Sequence, residues 1–385
     1  MPLPDYQGGS LVNLMSSLRL ALGDNTSLYP PLHMLDPASL RERRNLVLIV
    51  IDGLGYEYLR RLQDTTLNRY LQGRITSVFP STTVTAITTF LTGVAPQQHA
   101  LTGWHIYFEE LGAIMAVLPF RPRLGGAISE AVGVDSQVLL DHAPVFERLQ
   151  VCSYVVAPAR IINSQFNTAY CRTAFKRPYT VLREFFKTIT RTVREHDEGK
   201  YIYAYYPEMD RLAHDHGINS LKVSSHLREL DAAFSRFLND IEGSHTTVIV
   251  TADHGFIDSP LDRHIELADH PLLAQTLLRP FCGESRSTYC YIRPDKGEQF
   301  EHYVQTELAQ QATLFPSEAL IERGYFGLGP PHPRLKQRIG DYTLVFKENY
   351  VIKDWLPGEK RYRHIGVHGG LSAEEMYVPL IVVTV

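Results

Sequence analysis

Six acidic and imidazole side chains stand out because of where they fall in the chain. Asp52 ends the apolar run Asn45-Leu-Val-Leu-Ile-Val-Ile51, and Asp253 with His254 ends Thr246-Thr-Val-Ile-Val-Thr251. Asp210 and His214 follow Tyr201-Ile-Tyr-Ala-Tyr-Tyr206, and His368 lies in Val367-His-Gly-Gly370. Carboxylate and neutral imidazole together form a donor set for a borderline divalent ion, zinc first and manganese second. The i, i+4 spacing of Asp210 and His214 places both on one side of a helical turn. Adjacent Asp253 and His254 reach the same region only if the backbone turns sharply, and Gly255 supplies that freedom. Taken singly, each cluster has an ordinary reading. Asp-Gly after a strand is most often a turn, and D-x-x-x-H is most often a solvated helix face. Six such residues, all at predicted strand ends or in the loops after them, point to one site.

A hydroxyl cluster is the next element. Val78-Phe-Pro-Ser-Thr-Thr83 precedes Ala86, Ile87, Phe90 and Leu91 at helical spacing. Ser81 or Thr82 is suited to cap that helix with no chemistry involved. Alternatively, a hydroxyl at the helix amino end faces the ions. There the helix dipole and free N–H groups favour an anion, and a metal lowers the hydroxyl pKa. A threonine alkoxide in that position is a nucleophile for phosphorus.

These residues need a scaffold that gathers strand ends. The run from 45 to 51 is too short for a buried helix and rich in β-branched residues, the mark of a strand buried on both faces. Leu182, Phe185, Phe186, Ile189 and Val193 keep helical spacing before the strand at 201–206. Leu227, Leu230, Phe234, Phe237, Leu238 and Ile241 do the same before the strand at 246–251. The alternation predicts an α/β fold, with a mainly parallel central sheet and helices on both faces. In such sheets ligands collect beyond the carboxyl ends of the strands. Residues 1–44 read as an amino-terminal arm, 45–256 with 364–385 as the core, and 257–363, rich in Pro and Gly, as an inserted cap.

Composition narrows the function classes. A chain of 385 residues with 44% hydrophobic content can bury one large core, with or without a smaller unit. Lys and Arg total 38 against 42 Asp and Glu, a net charge of −4, so binding to duplex nucleic acid is not expected. No apolar run approaches the roughly 20 residues of a bilayer span. The amino end has no basic region followed by an apolar stretch, so a cytoplasmic location is expected. Cys152, Cys171, Cys282 and Cys290 include no CxxC pair and read as reduced thiols. Cys282 and Cys290 flank a polar stretch and have the spacing to meet across a hairpin in an oxidising setting.

The motifs VIDG, FPSTTVTAITTFLTGVAPQQHA, MDRLAHDHG, VTADHG and VHGGLSAEEMYVPLIV occur in that order. Together they resemble the alkaline phosphatase superfamily and, within it, the nucleotide pyrophosphatase/phosphodiesterase (type I phosphodiesterase) branch. The resemblance runs from about residue 45 to 385 and covers 260–360 only loosely. It implies Asp210, His214 and His368 on one zinc and Asp52, Asp253 and His254 on the other, with Thr83 as nucleophile. Gly217 falls where the family pattern has its glycine, and His216 lies outside the pattern. The implied activity is metal-dependent hydrolysis of a small phosphate ester through a phospho-threonine. A phosphomonoesterase and a phosphonate hydrolase are the alternatives within the superfamily. A metal-stabilised binding protein without catalysis is the alternative outside it. No oligomeric state follows.

Two positions depart from the family pattern. Trp104 stands where an Asn that holds a phosphate oxygen is usual, leaving His105 or Thr102 to replace its hydrogen bond. Val84 stands where an aromatic residue often follows the nucleophile, whereas Tyr205 does match an aromatic position before the ligand Asp. Tyr205, Trp104 and His105 are therefore the candidate substrate contacts. In the cap, Arg286, Arg293, Lys296 and His364 are candidates for a second phosphate or a carboxylate, against an ordinary reading as solvated charge.

Overall fold

Every residue of the strand Asn45–Ile51 is buried in the computed structural model, which describes residues 1–124 and 142–385. A strand closed to water on both faces must lie inside a covered sheet. It is the middle strand of seven, in the order Leu71–Thr76, Tyr377–Thr384, Thr246–Thr251, Asn45–Ile51, Lys200–Tyr206, Cys152–Pro158 and Phe175–Tyr179. All but Tyr377–Thr384 run in one direction. The fold is thus the α/β architecture expected, a mainly parallel sheet with helices on both faces. Helix Leu182–Arg194 packs against Leu221–Asp240, with Phe185, Phe186, Ile189 and Val193 buried along one stripe. Among the described residues no helix is long and apolar enough to cross a membrane.

The amino-terminal segment is built into this core. Leu11, Val12, Leu14, Met15 and Leu18 of helix Leu11–Ala21 are buried, and the helix packs on Thr83–Thr92. Its Arg19 pairs with Asp24 at 2.7 Å and donates to the Gly93 carbonyl at 3.1 Å. A cation is thereby set at the carboxyl end of Thr83–Thr92, where the helix dipole favours it.

A second sheet, wholly antiparallel, has the order Ala312–Pro316, Tyr342–Phe346, Ser287–Cys290, Cys282–Gly283, His105–Phe108, Ala113–Ala116 and Arg121–Pro122. Three of its strands come from 105–122, so the region read as an inserted cap shares its sheet with chain that directly follows the hydroxyl cluster. Arg286 and Glu375, both fully buried, tie this sheet to the core by an ion pair at 2.9 Å. The hairpin holding Cys282 and Cys290 forms, but Cys282 sits opposite Tyr289, and its neighbour Cys290 points to the other face. All four cysteines are free.

Candidate active site

The strands Thr246–Thr251, Asn45–Ile51 and Lys200–Tyr206 are adjacent and parallel, so the residues after them emerge side by side. Asp52 follows the central strand directly. Asp210 and His214 ride on helix Glu208–His216, one turn apart, and His368 enters on the short strand-and-turn before Tyr377–Thr384. The six candidate ligands converge there. His254 Nε2 lies 3.4 Å from Asp52 Oδ1 and 3.3 Å from Asp253 Oδ2. His214 Nε2 lies 3.4 Å from Asp210 Oδ1 and 3.2 Å from His368 Nε2. Asp52, Asp253 and His254 present donor atoms within 4.8 Å of one another, as do Asp210, His254 and His368.

Glycines allow this approach in two ways. Gly53 has φ +77°, a left-handed conformation that a side chain rarely adopts, so the turn after Asp52 needs it. Gly255 is different from the sequence expectation. Its need is space, because a Cβ there would meet the Glu374 carbonyl at 2.0 Å and Gly55 Cα at 2.8 Å.

The tautomers follow from what the rings touch. Nδ1 of His214 faces the Gly366 carbonyl at 2.9 Å, that of His254 the Gly255 carbonyl at 3.0 Å, and that of His368 the Ser81 carbonyl at 3.2 Å. A carbonyl only accepts, so each Nδ1 carries the proton and each Nε2 turns a lone pair inward. His214 and His368 then oppose two lone pairs at 3.2 Å. Asp52 Oδ1, Asp210 Oδ1 and Asp253 Oδ2 are buried without a hydrogen-bond partner. Buried carboxylates without partners and opposed lone pairs are unfavourable alone and fit divalent cations.

The protein's own electrostatics say the same. Burial first, then the charges of Asp210 and Asp253, push the Asp52 carboxyl well above the usual range. Burial followed by Asp253 and Glu284 does so for Asp210. His214 is pushed down to about 3 by burial and then by His364. His368 is likewise lowered, by burial and then by His254 and His214.

The three hydroxyls before the helix are sorted by their partners. Ser81 Oγ donates to the Gly370 carbonyl at 2.7 Å, and Thr82 Oγ1 donates to Glu284 Oε1 at 2.7 Å. Neither caps the helix, whose N-cap Thr82 makes no side-chain cap bond. Thr83 alone is partly exposed, and its Oγ1 stands 3.1 Å from His254 Nε2.

The candidate substrate contacts fare differently. Tyr205 uses its hydroxyl as a donor to Asp52 Oδ2 and so orients that carboxylate. Trp104 is 40% exposed, and its backbone N–H donates to Glu284 Oε1 at 2.7 Å. His105 pairs with Gly283 in the second sheet and is pushed down to about 3 by burial, then by Arg123 and Lys353. Thr102 is buried with its Oγ1 unpartnered. Among the four cap residues, Arg286 is committed to Glu375, Arg293 is exposed, and Lys296 bonds Gln299 at 3.0 Å. Only His364 of these reaches the site, its ring 4.4 Å from that of His214. His216 lies outside the cluster, 3.2 Å from Lys222 Nζ.

Glu284 escaped sequence reasoning. It lies in the stretch that drew attention only for its flanking cysteines, and no motif marks it. Burial pushes its carboxyl up to about 6, while Thr82 and the Trp104 N–H hold it down.

A family model for type I phosphodiesterase/nucleotide pyrophosphatase matches residues 46–371. Comparison with curated proteins gives no match. Among solved structures, murine ectonucleotide pyrophosphatase/phosphodiesterase 5, as an inactive threonine-to-alanine variant in complex with AMP, matches with a TM-score of 0.66. Identity is 17%, over 87% of each chain. The human protein of that name matches at 0.65, with 15% identity over 88% of this chain and 87% of that one. At such identity these likenesses bear on the fold alone.

Proposed function

Because the chain belongs to the type I phosphodiesterase/nucleotide pyrophosphatase family of metal-dependent hydrolases of phosphoric ester bonds, we propose that it cleaves a small phosphodiester or phosphoric anhydride through a covalent intermediate on Thr83. The observation that carries this reading is the sorting of hydroxyls. Of three adjacent candidates, only Thr83 is left facing a cluster of unpartnered carboxylate oxygens and inward imidazole nitrogens.

Asp210, His214 and His368 would hold one divalent ion and Asp52, Asp253 and His254 the other, zinc first and manganese the alternative. When bound, the ions lower the hydroxyl pKa and neutralise charge that builds on the phosphorus and leaving oxygens. Thr83 Oγ attacks phosphorus in line, and the bond to the leaving oxygen breaks as the new P–O bond forms. Water then attacks the phospho-threonine, and the P–Oγ bond breaks to restore Thr83. With each Nδ1–H given to a carbonyl, the three imidazoles stay neutral and fixed, each with the Nε2 lone pair turned inward. The side-chain-uncapped first turn of Thr83–Thr92 leaves N–H groups for a phosphate oxygen. From Pro80 to Gly93 the chain has no Arg or Lys, which favours a singly charged phosphorus over a monoester dianion.

The test is kcat/KM of the zinc-loaded protein on bis(4-nitrophenyl) phosphate and on 4-nitrophenyl phosphate, beside Thr83→Ala. The diester should be preferred, and the variant should lose about a thousandfold or more. Preference for the monoester, or undiminished turnover by the variant, would overturn the assignment.

A further inference from the structure

Glu284 is a carboxylate that the hydrolysis does not use, yet it is fastened beside it. It lies in the turn between Cys282–Gly283 and Ser287–Cys290. Its N–H donates to the Ser287 carbonyl at 2.9 Å, and its own carbonyl accepts from the Thr288 hydroxyl at 2.6 Å. The turn is tied to the His368 segment, because Ser287 Oγ donates to the Gly369 carbonyl at 2.6 Å. A Cβ at Gly369 would stand 2.8 Å from Glu284 Cβ, so only glycine leaves room for the approach. On its other side Glu284 Oε1 accepts from Thr82 Oγ1 and from the Trp104 N–H, each at 2.7 Å. The carboxylate is thus set between the residue after His368 and the residue before Thr83.

These neighbours surround the reacting hydroxyl. His368 Nδ1 faces the Ser81 carbonyl at 3.2 Å, and its ring lies 3.8 Å from that of His254. His254 Nε2 in turn stands 3.1 Å from Thr83 Oγ1. A phosphoryl group on Thr83 is therefore held one residue from the hydroxyl that Glu284 grips.

The charge of Glu284 is unmatched. Two donors keep Oε1 an acceptor, and Oε2 takes no bond from a described residue. Among the described residues no Lys, Arg or His lies within ion-pair distance of it. Arg286, two residues on, is held by Glu375 at 2.9 Å, and Lys353 acts on Glu284 only from farther away. With its carboxyl pushed up to about 6 by burial, Glu284 is charged at pH 8. The carboxylates of Asp52, Asp210 and Asp253 would leave two divalent ions a single surplus positive charge. That surplus matches a phosphodiester monoanion. A monoester dianion brings a second negative charge, which Glu284 repels with no cation between them.

We propose that Glu284 is a specificity-determining residue whose carboxylate turns away phosphoryl groups that bear two negative charges. This rests on the hydrolase reading above and assigns its preference for a singly charged phosphorus to one residue.

The experiment compares methyl 4-nitrophenyl phosphate with 4-nitrophenyl phosphate at pH 8, on zinc-loaded wild type and variants. Both substrates release the same leaving group, and only the charge on phosphorus differs. Glu284→Gln keeps an oxygen acceptor for Thr82 and Trp104 and removes the charge. It should raise the ratio of monoester to diester kcat/KM by about 10- to 100-fold. That is the range for like charges about 6–10 Å apart at an effective dielectric of about 20. Most of the change should be a gain on the monoester, with the diester altered by no more than about threefold. Glu284→Asp should keep the low ratio. Glu284→Met, which removes acceptor and charge together, should raise the ratio even if both rates fall, since the ratio does not depend on how much protein is folded. An unchanged ratio in Glu284→Gln, with the two rates falling together, overturns the proposal and leaves Glu284 a support for the loop. Calorimetric titration with inorganic phosphate at pH 8 is independent of turnover. Binding should tighten about tenfold or more in Glu284→Gln, and unchanged binding overturns the proposal. If the wild type hydrolyses neither ester, the hydrolase reading falls while this titration still decides the role of Glu284.

Discussion

Replacing Asp52 by Asn should stabilise the metal-free protein while destroying its activity. Donor oxygens of Asp52 and Asp253 lie within 4.8 Å of one another in a buried site, and Asp52 Oδ1 has no partner. Two full charges at that separation repel by about 3.5 kcal/mol at an effective dielectric of about 20. The folded protein escapes part of this by holding a proton, as the raised Asp52 carboxyl indicates. A carboxyl raised above its unfolded pKa of about 3.9 loses stability for the fold as pH rises from there towards the folded pKa. The amide introduced by Asp52→Asn carries no charge and still accepts from Tyr205, so about 2–3 kcal/mol should be recovered at pH 7. A chain of 385 residues has an unfolding entropy of about 0.8 kcal/mol per kelvin, which makes the gain about 2.5–4 °C in Tm. Thermal melts in chelator and in zinc provide the assay. In chelator the variant should melt higher, and the gap should widen between pH 5 and 8. Zinc at a hundred times its Kd adds about 2.7 kcal/mol per site to the wild type, enough to reverse the order. A variant that melts below the wild type in chelator would refute the reasoning, since hydrogen bonds alone would then be compensating Asp52.

Arg286→Met leaves Glu375 buried and unpaired, and stability should fall by about 3–5 kcal/mol in denaturant titrations. Burial pushes Glu375 up, but Arg286 with the Gly370 and Ser372 contacts outweighs it, so its folded pKa is depressed. The stabilisation it provides is present above its unfolded pKa and lost as pH falls through the folded value, a loss the variant should not show. Tyr205→Phe removes the donor to Asp52, and metal affinity measured by competition with a chromophoric chelator should weaken about 10- to 100-fold. Thr82→Val removes a donor to Glu284 but no attacking group, so kcat should drop less than about tenfold, far short of Thr83→Ala.

The core fold and the gathering of the six acidic and imidazole residues were legible because they follow from local rules. A seven-residue apolar run ending in Asp52 can only be a covered strand, and parallel strands deliver their following residues to one edge. The carboxylate and imidazole donors at those ends suit a divalent ion. What sequence could not resolve was contact across long separations. The choice among Ser81, Thr82 and Thr83 depends on Gly370, Glu284 and His254, partners 171 to 289 positions away. Tyr205 matched an aromatic position, but its hydroxyl bond to Asp52 spans 153 positions. Arg286 read as solvated charge or an anion contact because Glu375, which buries it, lies in another motif. The second sheet draws Arg121–Pro122, Ala113–Ala116 and His105–Phe108 from a stretch with no strand signal beyond four residues.

The central claim is that Thr83 becomes covalently phosphorylated during turnover. Acid quench of the zinc-loaded protein during steady-state hydrolysis of a methyl aryl phosphodiester, followed by peptide mass spectrometry, tests it directly. The account predicts a methyl-phosphoryl adduct on the peptide that spans Thr83, located at that residue and absent in Thr83→Ala. Turnover with no adduct there, or an adduct on Ser81 or Thr82, would contradict it.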